Sequence, residues 1–276
     1  LTITGTGNMP DYSSSDQPWY KYKEDIRRVI INEGITSIGN YAFYKYYNIS
    51  KVTISNTVTS VGYAAFAGCT SLIDVTIPKT VTTIGDSSFA NCTSLESVVI
   101  EANSKKGFET VIRESAFNGC KGLTGITIPG NVTSIGSYAF SNCKFLEKLT
   151  IPEGVKSLGY EMISNTSIES ITIPNSVTSA GEFISGNELL TEVIFKEGRK
   201  SIPNRICYNA INLKNIAIPS TVTSIEDYAF KGCTSLTDIV IPKTVTRIGC
   251  CSFEACSSLE NVTIEANNKK GFETVI

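Results

Sequence analysis

Hydrophobic and polar residues follow one long-period pattern that repeats along almost the whole chain. Its clearest copy covers residues 135–157, IGSYAFSNCKFLEKLTIPEGVKS, and another copy follows directly. The copies share the pattern I-G-x-x-A-F-x-x-C-x-x-L-x-x-V-x-I-P-x-x-V-T-S. Self-similarity at a fixed period of about 20 to 50 residues is typical of solenoid proteins. A unit this short cannot bury its own apolar face, so we expect stacked units to share one continuous core.

The first apolar residue of each module marks where that module begins. Successive modules lie about 23 residues apart, with two steps of about 22 and two of about 28. We therefore interpret residues 1–276 as a single elongated repeat domain, although a chain of this length could hold two globular domains. The ten modules begin at Ile38, Val61, Ile84, Ile112, Ile135, Leu158, Ala180, Ile202, Ile225 and Ile248, and an eleventh opens at Ile276.

Each module predicts two extended segments joined by turns. The L-x-x-V-x-I segment alternates apolar and polar positions and is rich in β-branched residues, so Val75 and Ile77 should point inward and Thr76 outward. The following proline, such as Pro78, has no N–H to donate and ends the strand. V-T-S-I-G predicts a second, shorter strand, and A-F-x-x-C an irregular or 3₁₀ turn with the phenylalanine inward. We expect a mainly β solenoid in which equivalent strands of successive coils pair in parallel, about 4.8 Å apart.

Three parts of the chain depart from this pattern. Residues 158–201 lack the usual Ala-Phe pair and cysteine, and we expect the most irregular coils there. Two long modules carry similar insertions at residues 101–112 and 265–276, which predict protruding loops with Lys105-Lys106 and Lys269-Lys270. Residues 1–25 hold the only tryptophan, Trp19, and we interpret them as an N-terminal cap because the end of a solenoid core must be covered. An aromatic sugar-binding platform is the alternative for this segment.

Composition fits a folded protein and narrows the function classes. The chain has 41% hydrophobic residues, a net charge of −2 and no basic stripe, so we expect no nucleic-acid partner. No apolar run approaches the roughly 18 residues of a membrane span. The chain has no histidine, which excludes Ser-His-Asp and Cys-His catalytic arrangements and histidine metal sites within it. Acidic residues form no pair placed for glycoside hydrolysis, and we expect neither a cofactor nor enzymatic activity.

Most of the nine cysteines occupy one position of the repeat. No C-x-x-C spacing suggests a metal site, and free cysteine is among the most buried residue types. We therefore predict a column of buried, reduced thiols, with a disulfide ladder as the alternative. Cys207 lies outside this column, and the sequence leaves the state of the adjacent Cys250 and Cys251 open. The six cysteines of the column are Cys69, Cys92, Cys120, Cys143, Cys233 and Cys256.

The repeated pattern resembles the BspA-type leucine-rich repeats, most clearly in residues 61–84 and 135–158. The resemblance covers residues 26–276, and the opening LTITGTGNMPDY with PWYKY is similar to the N-terminal cap of such proteins from gut bacteria. It implies a right-handed solenoid within a large secreted or surface-anchored protein. Members of the family include protist surface proteins and adhesins that bind host extracellular-matrix proteins such as fibronectin and fibrinogen. The family offers no catalytic residues to carry over, and a fold alone does not fix a partner.

The outward side of the predicted strands is the candidate binding face, because an extended face of parallel strands suits a large protein partner. A passive spacer in a large surface protein and a carbohydrate-binding surface module are the alternatives, since threonine is also a common strand former. The outward column comprises Thr53, Thr76, Val99, Thr127, Thr150, Thr172, Ile194, Ala217, Val240 and Thr263, beside Lys51, Asp74, Lys148, Glu192, Asn215 and Asp238. The residues predicted to bind are Thr76, Thr127, Thr150, Thr172, Lys51, Asp74, Lys148, Glu192 and Asp238.

A second, longer period concerns the C-terminal end of the chain. Residues 61–112 and 225–276 match at about 35 of 52 positions, and both finish with KKGFETVI. A block has begun to repeat where the chain stops, and no polar cap follows, so we expect the solenoid to be truncated there. Unpaired strand edges favour association. We therefore expect self-association through this end, or fraying of residues 265–276.

Overall fold

The protein winds into a β-solenoid of about ten coils, which confirms the predicted fold. The computed structural model describes residues 1–266; the second lysine pair, Lys269-Lys270, and the module position Ile276 lie outside the described residues. Within the described part there is no α-helix, and a single 3₁₀ helix spans Tyr20–Tyr22. The predicted self-association and fraying at the C-terminal end therefore concern residues that fall mostly outside the described range.

Almost every coil contributes one strand to a front face and one to a back face, and all strand pairs among the described residues are parallel. The front face comprises Thr2–Ile3, Arg28–Ile31, Lys51–Ile54, Asp74–Ile77, Ser97–Ile100, Gly125–Thr127, Ser170–Ile173, Glu192–Phe195, Asn215–Ala217, Asp238–Ile241 and Asn261–Ile264. The back face comprises Gly7–Asn8, Ile35–Ile38, Ser60–Val61, Thr83–Ile84, Thr110–Ile112, Val132–Ile135, Ser157–Leu158, Ser179–Ala180, Ser201–Ile202, Ser224–Ile225 and Arg247–Ile248.

The core consists of identical repeat positions stacked along the solenoid. The predicted inward phenylalanines are buried, and neighbouring rings lie nearly parallel because each coil places its ring directly over the previous one. Ile163, Ile184 and Cys207 take the phenylalanine position in the three irregular coils, and the stack resumes between Phe230 and Phe253 at 5.3 Å. Ring centroids are separated by 5.4 Å for Trp19–Phe43, 5.2 Å for Phe43–Phe66, 5.2 Å for Phe66–Phe89, 5.5 Å for Phe89–Phe117 and 5.7 Å for Phe117–Phe140.

The A-F-x-x-C turn is a hydrogen-bonded layer of its own. Residues four apart adopt left-handed backbone in nearly every coil, as at Tyr41 (φ 56°) and Lys45 (φ 58°). This geometry directs the N–H groups of Tyr41, Phe43 and Lys45 toward carbonyls of the next coil, at 2.9, 2.7 and 2.7 Å. Left-handed backbone is costly for residues other than glycine, so regular inter-coil hydrogen bonding must offset that cost.

The front and back faces are interrupted at three places. The front ladder is broken around residues 147–151 and again between Asn215–Ala217 and Asp238–Ile241. The back ladder is broken between Ser179–Ala180 and Ser201–Ile202, which lies within the stretch predicted to be irregular.

In the repeat copy at residues 135–157, the L-x-x-V-x-I pattern predicts a strand at Leu149 and Ile151, but these residues form no ladder, so the prediction is wrong there. Among the described residues, no backbone hydrogen bond joins residues 147–151 to either neighbouring strand. The next coil is one residue shorter between its turn and its front strand. Ile163 and Ile168, which occupy the repeat positions of Phe140 and Leu146, lie five positions apart instead of six. The turn keeps its hydrogen bonds to the coil of residues 135–157, and the shortened coil pairs with the following coil through both its turn and its front strand, so the opening is confined to the side that faces residues 147–151.

The thiol column is largely as predicted. Cys69, Cys92, Cys120, Cys143 and Cys233 are buried, and each Sγ donates to a backbone carbonyl of the preceding coil at 3.1–3.3 Å. Cys256, in the last described coil, is only half-buried, which corrects the expectation for that residue. All nine cysteines are free thiols, so the disulfide ladder is excluded in this structure.

The N-terminal segment packs directly on the first coils. Thr2–Ile3 and Gly7–Asn8 extend the front and back ladders by one strand each. The Trp19 indole stacks on Phe43, and its Nε1 donates to the carbonyl of Ala42 at 3.1 Å. One face of the indole thus packs against the first ring of the phenylalanine stack, and the assignment of residues 1–25 as a cap stays a prediction.

Candidate functional site

The predicted outward column lies on the front face, exposed to solvent. Val99 is in register with both Thr76 and Thr127, and Thr172 is in register with Ile194. This alternation follows from the strand period of two, which turns every second side chain away from the core. Eight of the nine residues predicted to bind are exposed and Glu192 is half-buried, so all nine lie on one accessible face.

The first interruption of the front face opens into a groove of about 920 Å³, which we call the central groove. It is an open surface feature, and it brings together three of the predicted residues, Lys148, Thr150 and Thr172. Its complete lining is Glu147, Lys148, Leu149, Thr150, Ile151, Ser167, Glu169, Ser170, Thr172, Leu189 and Lys196.

Backbone groups make the central groove different from the rest of the front face. In the regular coils of this face, neighbouring strands satisfy each other's N–H and C=O groups, and at the second interruption each strand still pairs on one side. Residues 147–151 have no such partner among the described residues on either side. Unpaired strand edges are sites where an extended polypeptide can add by backbone hydrogen bonding. The groove therefore offers backbone donors and acceptors as well as side chains.

Charges of both signs surround the central groove. Glu147 and Glu169 lie on the same lining as Lys148 and Lys196. Lys196 pairs with Glu153 at 2.9 Å, and this ammonium lowers the pKa of the Glu153 carboxyl below its ordinary value. Both partners of this pair are about half exposed, so the pair adds little stability. The groove therefore offers ion-pair partners to both acidic and basic groups of a ligand, and it favours neither a positively nor a negatively charged ligand.

Leu189 lines the central groove, and Phe145 precedes its lining residue Glu147 by two positions; both are exposed apolar side chains that the sequence analysis missed. Phe145 is 64% exposed and Leu189 is 48% exposed, at a repeat position where other coils carry small residues such as Ser71 and Ser94. Large exposed apolar residues near a groove are typical of protein-interaction surfaces. The sequence carries a signal for them: when the modules are aligned, Phe145 and Leu189 are large apolar residues at a position that is small or polar in the other modules.

The second interruption holds two more predicted residues, Glu192 and Asp238, in a smaller groove of about 340 Å³. Thr237 Oγ1 and Asn261 Nδ2 donate to the Asp238 carboxylate, each at 2.6 Å. These hydrogen bonds favour the charged form and lower the pKa of Asp238. Ser170 Oγ donates to Glu192 at 2.8 Å, which places that carboxylate between the two grooves.

The remaining predicted residues are not brought into either groove. Lys51 and Asp74 are register neighbours on the N-terminal part of the front face, and Thr76 lies beside them on the strand Asp74–Ile77. Thr127 ends the strand that precedes the central groove. The structure therefore divides the predicted set into a groove-lining group and a flat group.

The interruption of the back face contains a buried arginine. Arg199 takes the position that valine occupies in most coils, and its guanidinium donates to the carbonyls of Val177 (3.1 Å), Ser201 (3.3 Å) and Pro174. Burial lowers the pKa of this guanidinium, while the charge of Glu153 acts in the opposite direction. Arg199 lines a back cavity of about 460 Å³ together with Glu226 and Asp227. Its hydrogen bonds to three carbonyls give it a structural role in joining two coils that lack a ladder.

The described residues offer no evidence of a metal centre or a membrane-spanning helix. No group of three or more Cys, Asp or Glu side chains in residues 1–266 is arranged to hold a metal ion. Within the same residues, no helix combines the length and apolar character that crossing a bilayer requires.

Two solved structures share the solenoid fold at low sequence identity. A leucine-rich repeat protein from Bacteroides ovatus is 23% identical, with a TM-score of 0.51 over 93% of this chain and 86% of that chain. The pneumococcal vaccine antigen PcpA is 22% identical, with a TM-score of 0.51 over 88% of this chain and 63% of that chain. A leucine-rich cell surface protein from Faecalibacterium prausnitzii is 26% identical over 98% of this chain and 86% of that chain, with a TM-score of 0.43.

The repeat itself gives the clearest relationship. A search of curated proteins returned no match. The profile of the BspA-type leucine-rich repeat region matches in six copies, over residues 16–108, 110–233 and 200–274. These matches include the coils that form both grooves. Because they cover most of the sequence, the chain belongs to the BspA-type leucine-rich repeat family.

Proposed function

We propose that this chain is a recognition module of a secreted or cell-surface protein, and that it binds a protein partner through the front face without catalysing a reaction. The observation that carries the proposal is the central groove, where an interrupted ladder, mixed charges and exposed apolar side chains occur together. Interfaces combine an apolar anchor with polar groups at its rim. Phe145 and Leu189 are the anchors, and Lys148 and Glu169 belong to the rim.

A host extracellular-matrix protein is the proposed partner class. The unpaired backbone of residues 147–151 fits an extended segment of such a protein, because strand addition relies on main-chain hydrogen bonds and therefore tolerates many sequences. Thr150 and Thr172 would face that segment from the two sides of the groove. The flat group, with Lys51, Asp74 and Thr76, extends the same face toward the N-terminus and would contribute secondary contacts.

Binding of the purified chain to immobilised fibronectin and fibrinogen tests the proposal. We expect Thr150→Glu and Thr172→Glu each to weaken binding at least about tenfold, since an unpaired charge at a buried contact costs more than about 1.4 kcal/mol. Thr178→Glu introduces the same charge on the opposite side of the solenoid and is the matched control. Circular dichroism and melting of all three variants verify that the fold is intact.

Three results would contradict the proposal. Equal affinity of the folded Thr150→Glu and Thr172→Glu variants and the wild type would place the interface elsewhere. Absence of binding to any matrix protein, together with a negative glycan array, would favour a spacer that holds another domain away from the cell. Binding on the glycan array alone would favour the carbohydrate-binding alternative.

A further inference from the structure

The adjacent cysteines Cys250 and Cys251 differ from every other thiol of the chain. Cys250 is exposed and Cys251 is half-buried, and their Sγ atoms lie 3.1 Å apart. The five buried cysteines of the column instead donate to carbonyls inside the coil. Two thiols at this distance on an accessible surface form a dithiol pair, which neither the family match nor the proposed binding function accounts for.

The backbone holds this pair in place. The N–H of Cys250 donates to Asp227 Oδ1 at 2.9 Å, and its carbonyl accepts from the N–H of Tyr228 at 3.0 Å. Cys251 adopts the left-handed backbone conformation of the repeating turn (φ 56°), and in this conformation its Sγ lies close to that of Cys250. Because the turn is fixed by inter-coil hydrogen bonds, the two sulfurs remain close without further ordering. Reaction between them is therefore intramolecular and favoured by proximity.

The pair is also a local departure from the chain's own repeat. Residues 225–276 largely repeat residues 61–112, and the positions of Cys250 and Cys251 correspond to Asp86 and Ser87. The fold thus accepts polar, non-thiol residues at both places. Packing of the coil does not require a cysteine at either position, in contrast to the buried column.

We propose that Cys250 and Cys251 form a surface redox site that closes reversibly into a vicinal disulfide by exchange with a low-molecular-weight disulfide. In the first step the Cys250 thiolate attacks one sulfur of that disulfide, forms a mixed disulfide and releases one thiolate. Cys251 then loses its proton to solvent, and its thiolate attacks the Cys250 sulfur and displaces the second thiolate. Two protein thiols are oxidised by two electrons, and the small disulfide is reduced to two thiols.

The closed form should be easily reduced. Adjacent Cα atoms are about 3.8 Å apart, which is less than the usual separation of about 4.4–6.8 Å for disulfide-bonded cysteines. Strained and exposed disulfides are more readily reduced than structural ones. Glu254, which pairs with Lys231 at 2.9 Å, lies near the pair, and contacts with Cys250 and Glu254 raise the pKa of the Cys251 thiol to about 11. The second step should therefore accelerate as the pH rises toward that value.

Mass spectrometry of the intact native chain treated with oxidised glutathione tests the proposal. We expect the wild type to lose two hydrogen atoms without retaining glutathione, and mild reduction to restore the original mass. Cys250→Ser should lose this reaction, and Cys251→Ser should retain one glutathione on Cys250, because no second thiol displaces it. Cys256→Ser is the matched control and should still close, which separates this pair from a bond to the third cysteine of the same segment.

Phenylarsine oxide provides a second measurement that needs no variant. It binds two neighbouring thiols, and we expect one equivalent per native wild-type chain, at a rate at least about tenfold above that of the buried thiols, which react only after local opening. Peptide mapping should place the adduct on Cys250 and Cys251. A native chain that binds no arsenical, or one whose oxidised form carries a stable mixed disulfide or a bond to Cys256, would overturn the proposal.

Discussion

At the scale of single residues, the buried thiols explain why one repeat position favours cysteine. The Sγ of Cys143 donates to the carbonyl of Phe117 at 3.3 Å, so a small side chain both fills the coil and satisfies a buried acceptor. Burial favours the neutral thiol and raises the pKa of Cys143 to about 12. Sequence spacing predicted the column, but only the structure shows the hydrogen bond to the preceding coil.

The raised thiol pKa predicts a specific loss of stability at high pH. The folded pKa of Cys143 is about 12 and its ordinary value is 9.0, so its contribution is complete below about pH 9 and is lost as the pH rises toward 12. The loss amounts to about 1.4 kcal/mol per pH unit above pH 9 for one thiol. Denaturant unfolding between pH 9 and about pH 11 should show a shallower decline of the unfolding free energy for Cys143→Ala than for the wild type. Identical slopes would mean that this thiol ionises equally in both states.

At the scale of secondary-structure elements, a one-residue change in one coil coincides with the loss of strand pairing on the coil before it. Shortening the chain between Ile163 and Ile168 coincides with loss of the ladder at residues 147–151 on the preceding coil. The back ladder and the turn layer continue across the same coils, through Val132–Ile135, Ser157–Leu158 and Ser179–Ala180. A coil has three hydrogen-bonded layers, so one layer can open while the other two keep the coils stacked.

Hydrogen exchange should detect the open layer directly. We expect amides of residues 147–151 to exchange at least about 100-fold faster than those of the strand Asp74–Ile77, because the former have no backbone partner and the latter are paired. Asp74–Ile77 is the matched control, since it occupies the same position in a regular coil. Equal protection of the two segments would show that the ladder closes in solution and that the central groove is smaller than described.

At the scale of the whole molecule, each coil contacts only its neighbours, so stability is expected to be local. In such solenoids a perturbation at one end weakens the adjacent coils and fades with distance. The phenylalanine stack that begins at Trp19 runs without a break to Phe140 and then stops at Ile163. The irregular coils therefore separate two regular parts of the solenoid.

Removal of the indole tests both the cap and this local behaviour. Trp19→Ala should cost about 1–3 kcal/mol in the N-terminal coils, because a half-buried ring stacked on Phe43 is lost and the end of the phenylalanine stack becomes exposed. Hydrogen-exchange protection should fall in residues 28–66 and remain unchanged around Phe230. Tyr22→Ala, at a 52% exposed ring of the same segment, is the control and should have little effect. A uniform loss of protection along the chain would instead indicate one cooperative unit.

Much of the fold could be predicted from the sequence, because a repeat presents the same evidence many times. The inward positions of Val75 and Ile77, the outward position of Thr76 and the inward phenylalanines all follow from periodicity and agree with the structure. One strand was predicted wrongly, at Leu149 and Ile151. Its side chains still alternate between inward and outward positions, which is what the sequence reveals, but its backbone is not hydrogen-bonded to the strands of the neighbouring coils.

The repeat, its two faces and its core columns follow from the amino-acid sequence, because side-chain alternation is a local property of an extended chain. Only packing between coils shows which coils separate to form the central groove, and that the adjacent Cys250 and Cys251 lie at the surface with their sulfurs 3.1 Å apart. It also decided that Arg199 could be buried, since three carbonyls of neighbouring chain segments accept its hydrogen bonds. These features depend on how one coil registers against the next, and that register is set by packing and hydrogen bonds between residues about 23 positions apart.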